Sequence, residues 1–448
     1  MARPLLQAFA ATAAIAMVPL ATGAMAQVDS NSYRELDLFM DVYNRVKSEY
    51  VDKVDDKTLV KGAIQGMLAA LDPHSSYVDA LDFENMRIQT EGNYGGLGLT
   101  VTQEDGAVKV IAPTEDSPAA RAGIKAGDYI THINGKLIFG EALDEAIEGM
   151  RGQPGTKVTL TVVRPGRDKP MELTMAREVI VQKPVKWEVK NGVGIININT
   201  FSASTGADTR AAIMAIDKSL GRKPTGYIVD LRSNGGGLLT QAIEVSDAFL
   251  ERGEIVSQRG REKADIERYY ARAGDLAGGL PIIVLVDAGT ASASEIVAGA
   301  LQDHHRAIVM GERTFGKGSV QTLLQLGPSN ALRLTTARYF TPSGRSVQEG
   351  GIEPDLSVPQ LTDEDYKSRP VFREADLRRH LINEAKVDNK VLEEDAKTDP
   401  RFAATAEQLK KQGVEDFQLD YAVKTIARLG TPAQVAAAAG SAKAAAKR

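Results

Sequence analysis

Apolar residues at Leu36, Phe39, Met40, Tyr43, Val46 and Tyr50 recur at steps of three and four, the spacing of one helix face. A second helix is predicted over 57–71. Asp72-Pro73 ends it, because the residue before a proline is pushed out of helical geometry. From 92 to about 177 the texture changes to short strands between glycine turns, as in Gly98-Leu-Thr-Val101 and Lys157-Val-Thr-Leu-Thr-Val-Val163, with short helices at 117–122 and 143–150. That order predicts a small β-barrel-like module. Between 193 and 345, strands at 194–198, 227–231, 281–286 and 307–310 alternate with helices at 207–220, 240–249 and 292–301, which predicts a layered α/β core with parallel strands. Beyond Pro359 the pattern is charged and helical, ending in an Ala/Lys run expected to fray. No solenoid period is visible.

The first 26 residues stand apart. Arg3 precedes an apolar, alanine-rich stretch from Leu5 to Leu20, and small residues occupy Ala24 and Ala26. A positive start, a short apolar core and an Ala-x-Ala ending predict an export signal cleaved before Gln27; the competing reading is an uncleaved membrane anchor. No later stretch approaches the ~18 apolar residues of a membrane span. An exported, periplasmic protein is therefore expected. The organisation read from these shifts is a signal peptide at 1–26, a helical module at 27–90, the β-rich module at 91–177, the α/β core at 178–360 and a helical C-terminal region at 361–448.

Composition narrows the chemistry. The chain holds no cysteine, which excludes disulfides, thiolate metal sites and cysteine nucleophiles. A net charge of −5 over 448 residues lacks the basic footprint of a nucleic-acid binder. No histidine pair has metal-ligand spacing, so neither a metal nor an organic cofactor is expected.

The densest chemistry lies between Asp287 and Gln321. A strand ending near Val286 leads through Asp287-Ala-Gly-Thr-Ala-Ser292 into a helix. Ligand crevices in layered α/β folds form at such strand ends, and a serine at a helix N-terminus has free N–H groups and a favourable dipole beside it. The plainer reading of Ser292 is an N-cap ahead of Glu295. A nucleophilic serine needs a base, and His304 and His305 on a continuing helix lie about 18 Å away or more. Lys317, between Gly316 and Gly318, is better placed, since burial lowers a lysine's pKa until the neutral amine accepts a proton. Gly311-x-x-x-x-Gly316-Lys317 also imitates a phosphate-binding loop, but Gly318 stands where Ser or Thr is needed, and the next segment is strand-like. Gly95-Gly-Leu-Gly98 lacks the third glycine of a dinucleotide fingerprint. The run Gly235-Gly-Gly237 after another strand offers outward N–H groups suited to an oxyanion.

Taken in order, Leu71-Asp-Pro-His-Ser-Ser-Tyr77, Gly95-Gly-Leu-Gly-Leu99, Leu231-Arg-Ser-Asn-Gly-Gly-Gly237, Thr290-Ala-Ser-Ala-Ser-Glu-Ile296, Gly311-Glu-Arg-Thr-Phe-Gly-Lys-Gly318 and Gly351-Ile-Glu-Pro-Asp355 resemble the carboxy-terminal processing, or tail-specific, proteases. The resemblance implies a layered α/β serine-protease core with an inserted PDZ domain and flanking helical segments. It implies Ser292 as nucleophile, Lys317 as base and Gln321 as the residue orienting the lysine. It also implies an oxyanion hole from the N–H groups of Ala293 and of Gly235 or Gly236, and a supporting Asp303. Gly96, Leu97, Gly98 and Leu99 would hold a peptide's terminal carboxylate while the peptide adds to a strand edge. The expected partners are protein substrates with free C-termini. A homodimer through the helical flanks and an adaptor or activating partner both stay open. The rival function is a tail-binding scaffold that does not cut.

Overall fold

The computed structural model describes residues 30–429, apart from 105, 263, 329, 367 and 386–401. The expected signal peptide and the Ala/Lys tail lie outside the described residues. The chain divides into two compact units, one ending at Ile64 and one beginning at Gln65. The first contains α1 (Ser30–Glu49) and the start of α2 (Asp56–Ala69). Tyr43 and Lys47 on α1 both reach Asp56, while Leu36, Phe39 and Met40 on the apolar face stay about half exposed.

The second unit opens with β1 (Ser76–Val78) and α3 (Ala80–Glu91), which Asp79 caps by accepting from Leu81 and Asp82 N–H and which Gly92 ends in left-handed geometry. A two-strand ribbon of β2 (Asn93–Gly96) and β9 (Glu178–Val181) brackets the β-rich module. Inside the bracket are β3 (Leu99–Glu104), β4 (Ala107–Pro113), α4 (Pro118–Arg121), β5 (Tyr129–Ile133), β6 (Lys136–Leu137), α5 (Leu143–Met150), β7 (Lys157–Val163) and β8 (Met171–Ala176). Their sheet runs β3-β4-β5-β7-β8 with β6 on β5, so β3 is an edge strand. Val110, Ile130, Leu160 and Val162 alternate inward to make a core of its own.

The α/β core follows: β10 (Val185–Lys190), β11 (Val193–Ile198), α6 (Thr205–Leu220), β12 (Tyr227–Asp230), α7 (Leu239–Asp247), β13 (Gly253–Arg259), β14 (Ile266–Ala271), β15 (Ile282–Val286), α8 (Ala293–Asp303), β16 (Ile308–Gly311), β17 (Ser319–Gln325), β18 (Ala331–Phe340) and β19 (Leu356–Ser357). The sheet order is β10-β11-β12-β15-β16-β19, parallel except at the β10 edge. β12 and β15 are buried on both faces, which is why they read as unbroken apolar runs. One face packs on α6, α7 and α8; the other packs on α10 (Phe417–Arg428), which α9 (Ala406–Lys411) precedes.

The structure adds a second sheet, β1-β18-β13-β14 with β17 on β18, which the periodicity did not predict. Three of its strands, β14, β17 and β18, carry exposed residues on both faces, so no clean alternation marks them. The helical expectation beyond Pro359 is corrected for residues 360–385. Their described residues hold turns and one 3-10 turn, Glu374–Asp376. The reason lies in contacts with distant parts of the chain. Arg373 donates to the carbonyls of Arg313 and Thr314, and Asn383 to that of Gln348, so this segment spends its polar groups on the core's loops.

Candidate active site

Ser292 sits where β15 turns into α8, with φ 56° and ψ −113°. Positive φ is unfavourable for a residue with a Cβ and persists only where neighbours over-determine it. They do so here. The carbonyl of Asn234 accepts from Ala291 N–H at 3.0 Å and Ser294 Oγ at 2.9 Å, and Thr290 Oγ1 donates to the carbonyl of Leu231 at 2.8 Å. Tyr339 Oη donates to the carbonyl of Ser292 at 3.1 Å. Ser292 stays partly exposed while Ala293, Ser294 and Glu295 behind it are buried.

The glycine run lies directly against this turn. Ser233, also at positive φ, donates through N–H and hydroxyl to the Asp287 carboxylate, and buried Asn234 donates to the carbonyl of Ile198. Gly236 has φ +103°, and a Cβ there would stand 2.9 Å from Ser292 Cβ and 3.0 Å from Ala293 N, so only glycine lets the backbone come so close. The Gly236 N–H is committed to Asn234 Oδ1 at 2.9 Å. Among the described residues, the N–H groups of Gly235 and Ala293 donate to no protein acceptor. Of the two glycines the sequence left open, Gly235 is therefore the available donor.

Lys317 lies on the loop between β16 and β17. The glycines beside it let the chain approach other backbone closely. A Cβ on Gly316 would meet the Glu349 carbonyl at 2.7 Å and one on Gly318 the Gln348 N at 2.6 Å. The segment after Lys317 is β17, a strand, so the phosphate-loop alternative lacks its helix. The Lys317 ammonium makes no protein hydrogen bond or ion pair among the described residues. Burial lowers its pKa, opposed by the charge of Glu374 and helped by that of Arg333.

The residue that joins both halves was read in the sequence only as part of a cap. Glu295, on the first turn of α8, is fully buried. Its carboxylate accepts from Ser292 N–H at 2.7 Å, Thr314 Oγ1 at 2.5 Å, Gly316 N–H at 2.8 Å and Lys317 N–H at 3.0 Å. The Ser292 turn and the Lys317 loop thus share one anion. Burial pushes the Glu295 carboxyl up to about 7, with those donors pulling the other way. Tyr339 adds a second tie, its hydroxyl reaching the carbonyls of both Ser292 and Lys317. A serine N-cap followed by Glu at the third helical position was the available signal for Glu295; nothing local marked Tyr339.

Other expected residues are placed as follows. Gln321 donates to Ser319 Oγ at 3.0 Å and Thr335 Oγ1 at 3.3 Å, and no hydrogen bond joins it to Lys317 among the described residues. Thr335 in turn bonds Asp72 and Ser75 of the Asp-Pro-His-Ser motif, and His74 pairs with buried Glu374 at 2.9 Å. Asp303 lies at the far end of α8, accepting from Ser343 N–H at 3.0 Å and facing Arg345 at 3.6 Å, away from Ser292. His304 bonds the carbonyl of Glu254 at 2.7 Å, in keeping with a helix-end role.

In the β-rich module, Gly96 to Leu99 links β2 to β3. The Leu97 carbonyl accepts from Ala119 N–H at 3.0 Å and the Gly98 carbonyl from Thr114 N–H at 2.8 Å. Gly98 has φ +72°, and a Cβ would stand 2.4 Å from Ser117 Cβ. With its carbonyls held inward, the turn leaves the N–H groups of Leu97 and Gly98 without a protein acceptor among the described residues.

Family models match three stretches: Peptidase family S41 over 192–358, PDZ domain over 109–164, and Activating protease CtpB N-terminal domain over 10–81. A "Carboxy-terminal-processing protease" of Bartonella bacilliformis is 50% identical over 355 residues, covering 79% of this chain and 82% of its own. The chain belongs to the carboxy-terminal-processing proteases of family S41. It is thus a serine-type C-terminal processing peptidase with a PDZ domain, and the non-cutting scaffold reading gives way. The protease is also 37% identical to the Bacillus subtilis "Carboxy-terminal processing protease CtpA", over 73% of this chain and 71% of that one. A solved "photosystem II D1 C-terminal processing protease" aligns at 28% identity and a TM-score of 0.43, over 73% of this chain and 88% of its own.

Proposed function

We propose that the protease cleaves by a Ser292/Lys317 acyl-enzyme mechanism after its PDZ domain, 91–177, docks a substrate's free C-terminus. The observation carrying this reading is the shared Glu295 carboxylate, which ties the backbone of a strained serine to that of a desolvated lysine. Neutral Lys317 takes the hydroxyl proton as Ser292 Oγ adds to the scissile carbonyl carbon. The oxyanion receives hydrogen bonds from Gly235 and Ala293 N–H. As the C–N bond breaks, the Lys317 ammonium returns the proton to the leaving amine. Water then attacks the ester with Lys317 again as base, freeing Ser292. Gln321 reaches Lys317 only by turning from its present partners, and Asp303 supports α8 rather than the chemistry.

The carboxylate of a substrate tail fits the N–H groups of the Gly96–Leu99 turn, and the tail fits beside the free edge of β3. Charge-assisted hydrogen bonds of this kind contribute about 1.5–3 kcal/mol each. Helices α1 and α2 near the start, with α9 and α10 near the end, suit a homodimer or an activating partner. Export with cleavage after Ala26 rests on the signal-like start; among the described residues no helix is long and apolar enough to cross a membrane. Intact-mass analysis of the exported protein tests that point, and a chain still beginning at Met1 would favour the anchor. The test of the whole reading is labelling by a fluorophosphonate probe: it should reach Ser292 in the wild type and be lost in Lys317→Ala. Undiminished labelling of folded Lys317→Ala sinks it.

A further inference from the structure

The strand that leaves the Lys317 loop has a partner on one side only. β17 pairs with β18, whose other edge takes β1 and β13, and among the described residues no strand pairs with the outer edge of β17. Which main-chain groups face outward follows from the register. The Thr335 N–H donates to Ser75 Oγ, on the β1 side of β18. In an antiparallel pair, opposed residues either exchange both hydrogen bonds or turn both away. Gln321, which faces Thr335, therefore turns its N–H and C=O away from β18, and by alternation Leu323 and Gln325 do the same. A register shift between Val320 and Gln321 sets this phase just past the base loop.

Natural edge strands are usually guarded by charge or proline. Residues 319–326, Ser-Val-Gln-Thr-Leu-Leu-Gln-Leu, contain neither, and Leu323 and Leu324 are 42% and 41% exposed. An unguarded edge is a site for an added strand. We propose that the outer edge of β17 pairs with the substrate itself: an extended, uncharged stretch beside the scissile bond, exchanging main-chain hydrogen bonds with Gln321, Leu323 and Gln325. Continuity with the site decides between this occupant and a second copy of the chain. At about 3.3 Å per residue, Gln321 lies within about 13 Å of Lys317 along the chain, so a strand laid here holds the reacting carbonyl from a few residues away. The inference rests on Lys317 being the base.

The test uses wild-type protease and matched peptides carrying one N-methyl group on the main chain at successive positions flanking the scissile bond. Cleavage should fall about ten-fold or more at every second position and little at those between, the period of an edge-paired strand. A flat profile overturns the proposal. Leu323→Pro removes an outward N–H while sparing the ladder to β18, and should lower kcat/KM for the same peptides about ten-fold while fluorophosphonate labelling of Ser292 is kept. Unchanged cleavage in this variant also overturns it. A flat methyl profile with loss of a dimer in Leu323→Pro, read by sedimentation equilibrium, would assign the edge to a second copy. Failure of the Ser/Lys reading shows separately, as activity retained in Lys317→Ala.

Discussion

Two glycine turns in this protease are built alike and used differently. Gly98 packs on Ser117 and Gly236 on Ser292, each at positive φ and each so close that a Cβ would collide. In both, the neighbouring N–H groups are left without protein acceptors. The first turn belongs to the PDZ core; its proposed guest is a stable carboxylate, already charged in water. The second belongs to the α/β core and touches Ser292, the proposed nucleophile; its proposed guest is an oxyanion that exists only along the reaction path. On the proposed mechanism the same backbone device supplies binding in one place and rate in the other, and substitutions at the two turns should separate KM from kcat.

The largest effect expected is at the proposed catalytic pair. Ser292→Ala and Lys317→Ala should each lower kcat by ~10³-fold or more, since members of one catalytic unit fail together. Lys317→Arg should fail as well, because a guanidinium stays protonated. Next comes Gly236→Ala, whose Cβ would press on Ser292 and on the Ala293 N–H. It should cost about 10²–10³ in kcat with little change in KM. Gly98→Ala should do the reverse, raising KM for protein substrates by about ten-fold, as one or two lost charge-assisted hydrogen bonds allow. Amidating the substrate's C-terminus should reproduce the Gly98→Ala effect and add nothing to it. Steady-state kinetics on matched free-acid and amidated substrates decides. An equal kcat loss at both turns would erase the distinction.

The sequence was legible where one physical signal dominated. The doubly buried strands β12 and β15 announced themselves as apolar runs, and the Ser292 and Lys317 motifs marked the turn and loop that Glu295 ties together. It was silent where contacts are long-range. The sheet of β13, β14, β17 and β18 joins two hairpins through the pairing of β13 with β18, whose opposed residues Ser257 and Phe340 are far apart in the chain. Thr335, Ser75 and Asp72 meet across about 260 positions. Glu374, in a stretch that read as helical, is buried because His74 and Gln348 hold it beside the base loop. Glu295 shows the middle case: its helix-capping role was local and visible, and its grip on the base loop was not.

That grip yields the smallest expected effect. The Glu295 carboxyl is pushed by burial to about 7 in the fold, from an ordinary 4.5. A raised carboxyl favours the folded state when protonated. Its contribution is fully present below pH 4.5 and is lost as pH rises through about 7. Glu312 is also raised to about 7, by burial and the Asp287 charge, so part of the slope survives any change at Glu295. The groups facing Glu295 are the N–H groups of Ser292, Gly316 and Lys317, the hydroxyls of Thr314 and Tyr339, and the charge of Lys317. Glu295→Gln presents an NH₂ to several of those donors, so the variant should be less stable at every pH. It cannot ionise, however, so its melting temperature should fall less than the wild type's between pH 4.5 and 7. A difference of about 1 kcal/mol in slope corresponds to roughly 2–4 °C for a domain of this size. Calorimetry of both proteins at the two ends of that window measures it. Parallel melting curves would mean that Glu295 keeps one charge state throughout, and that the anion joining Ser292 to Lys317 is present at every pH at which the protease is folded.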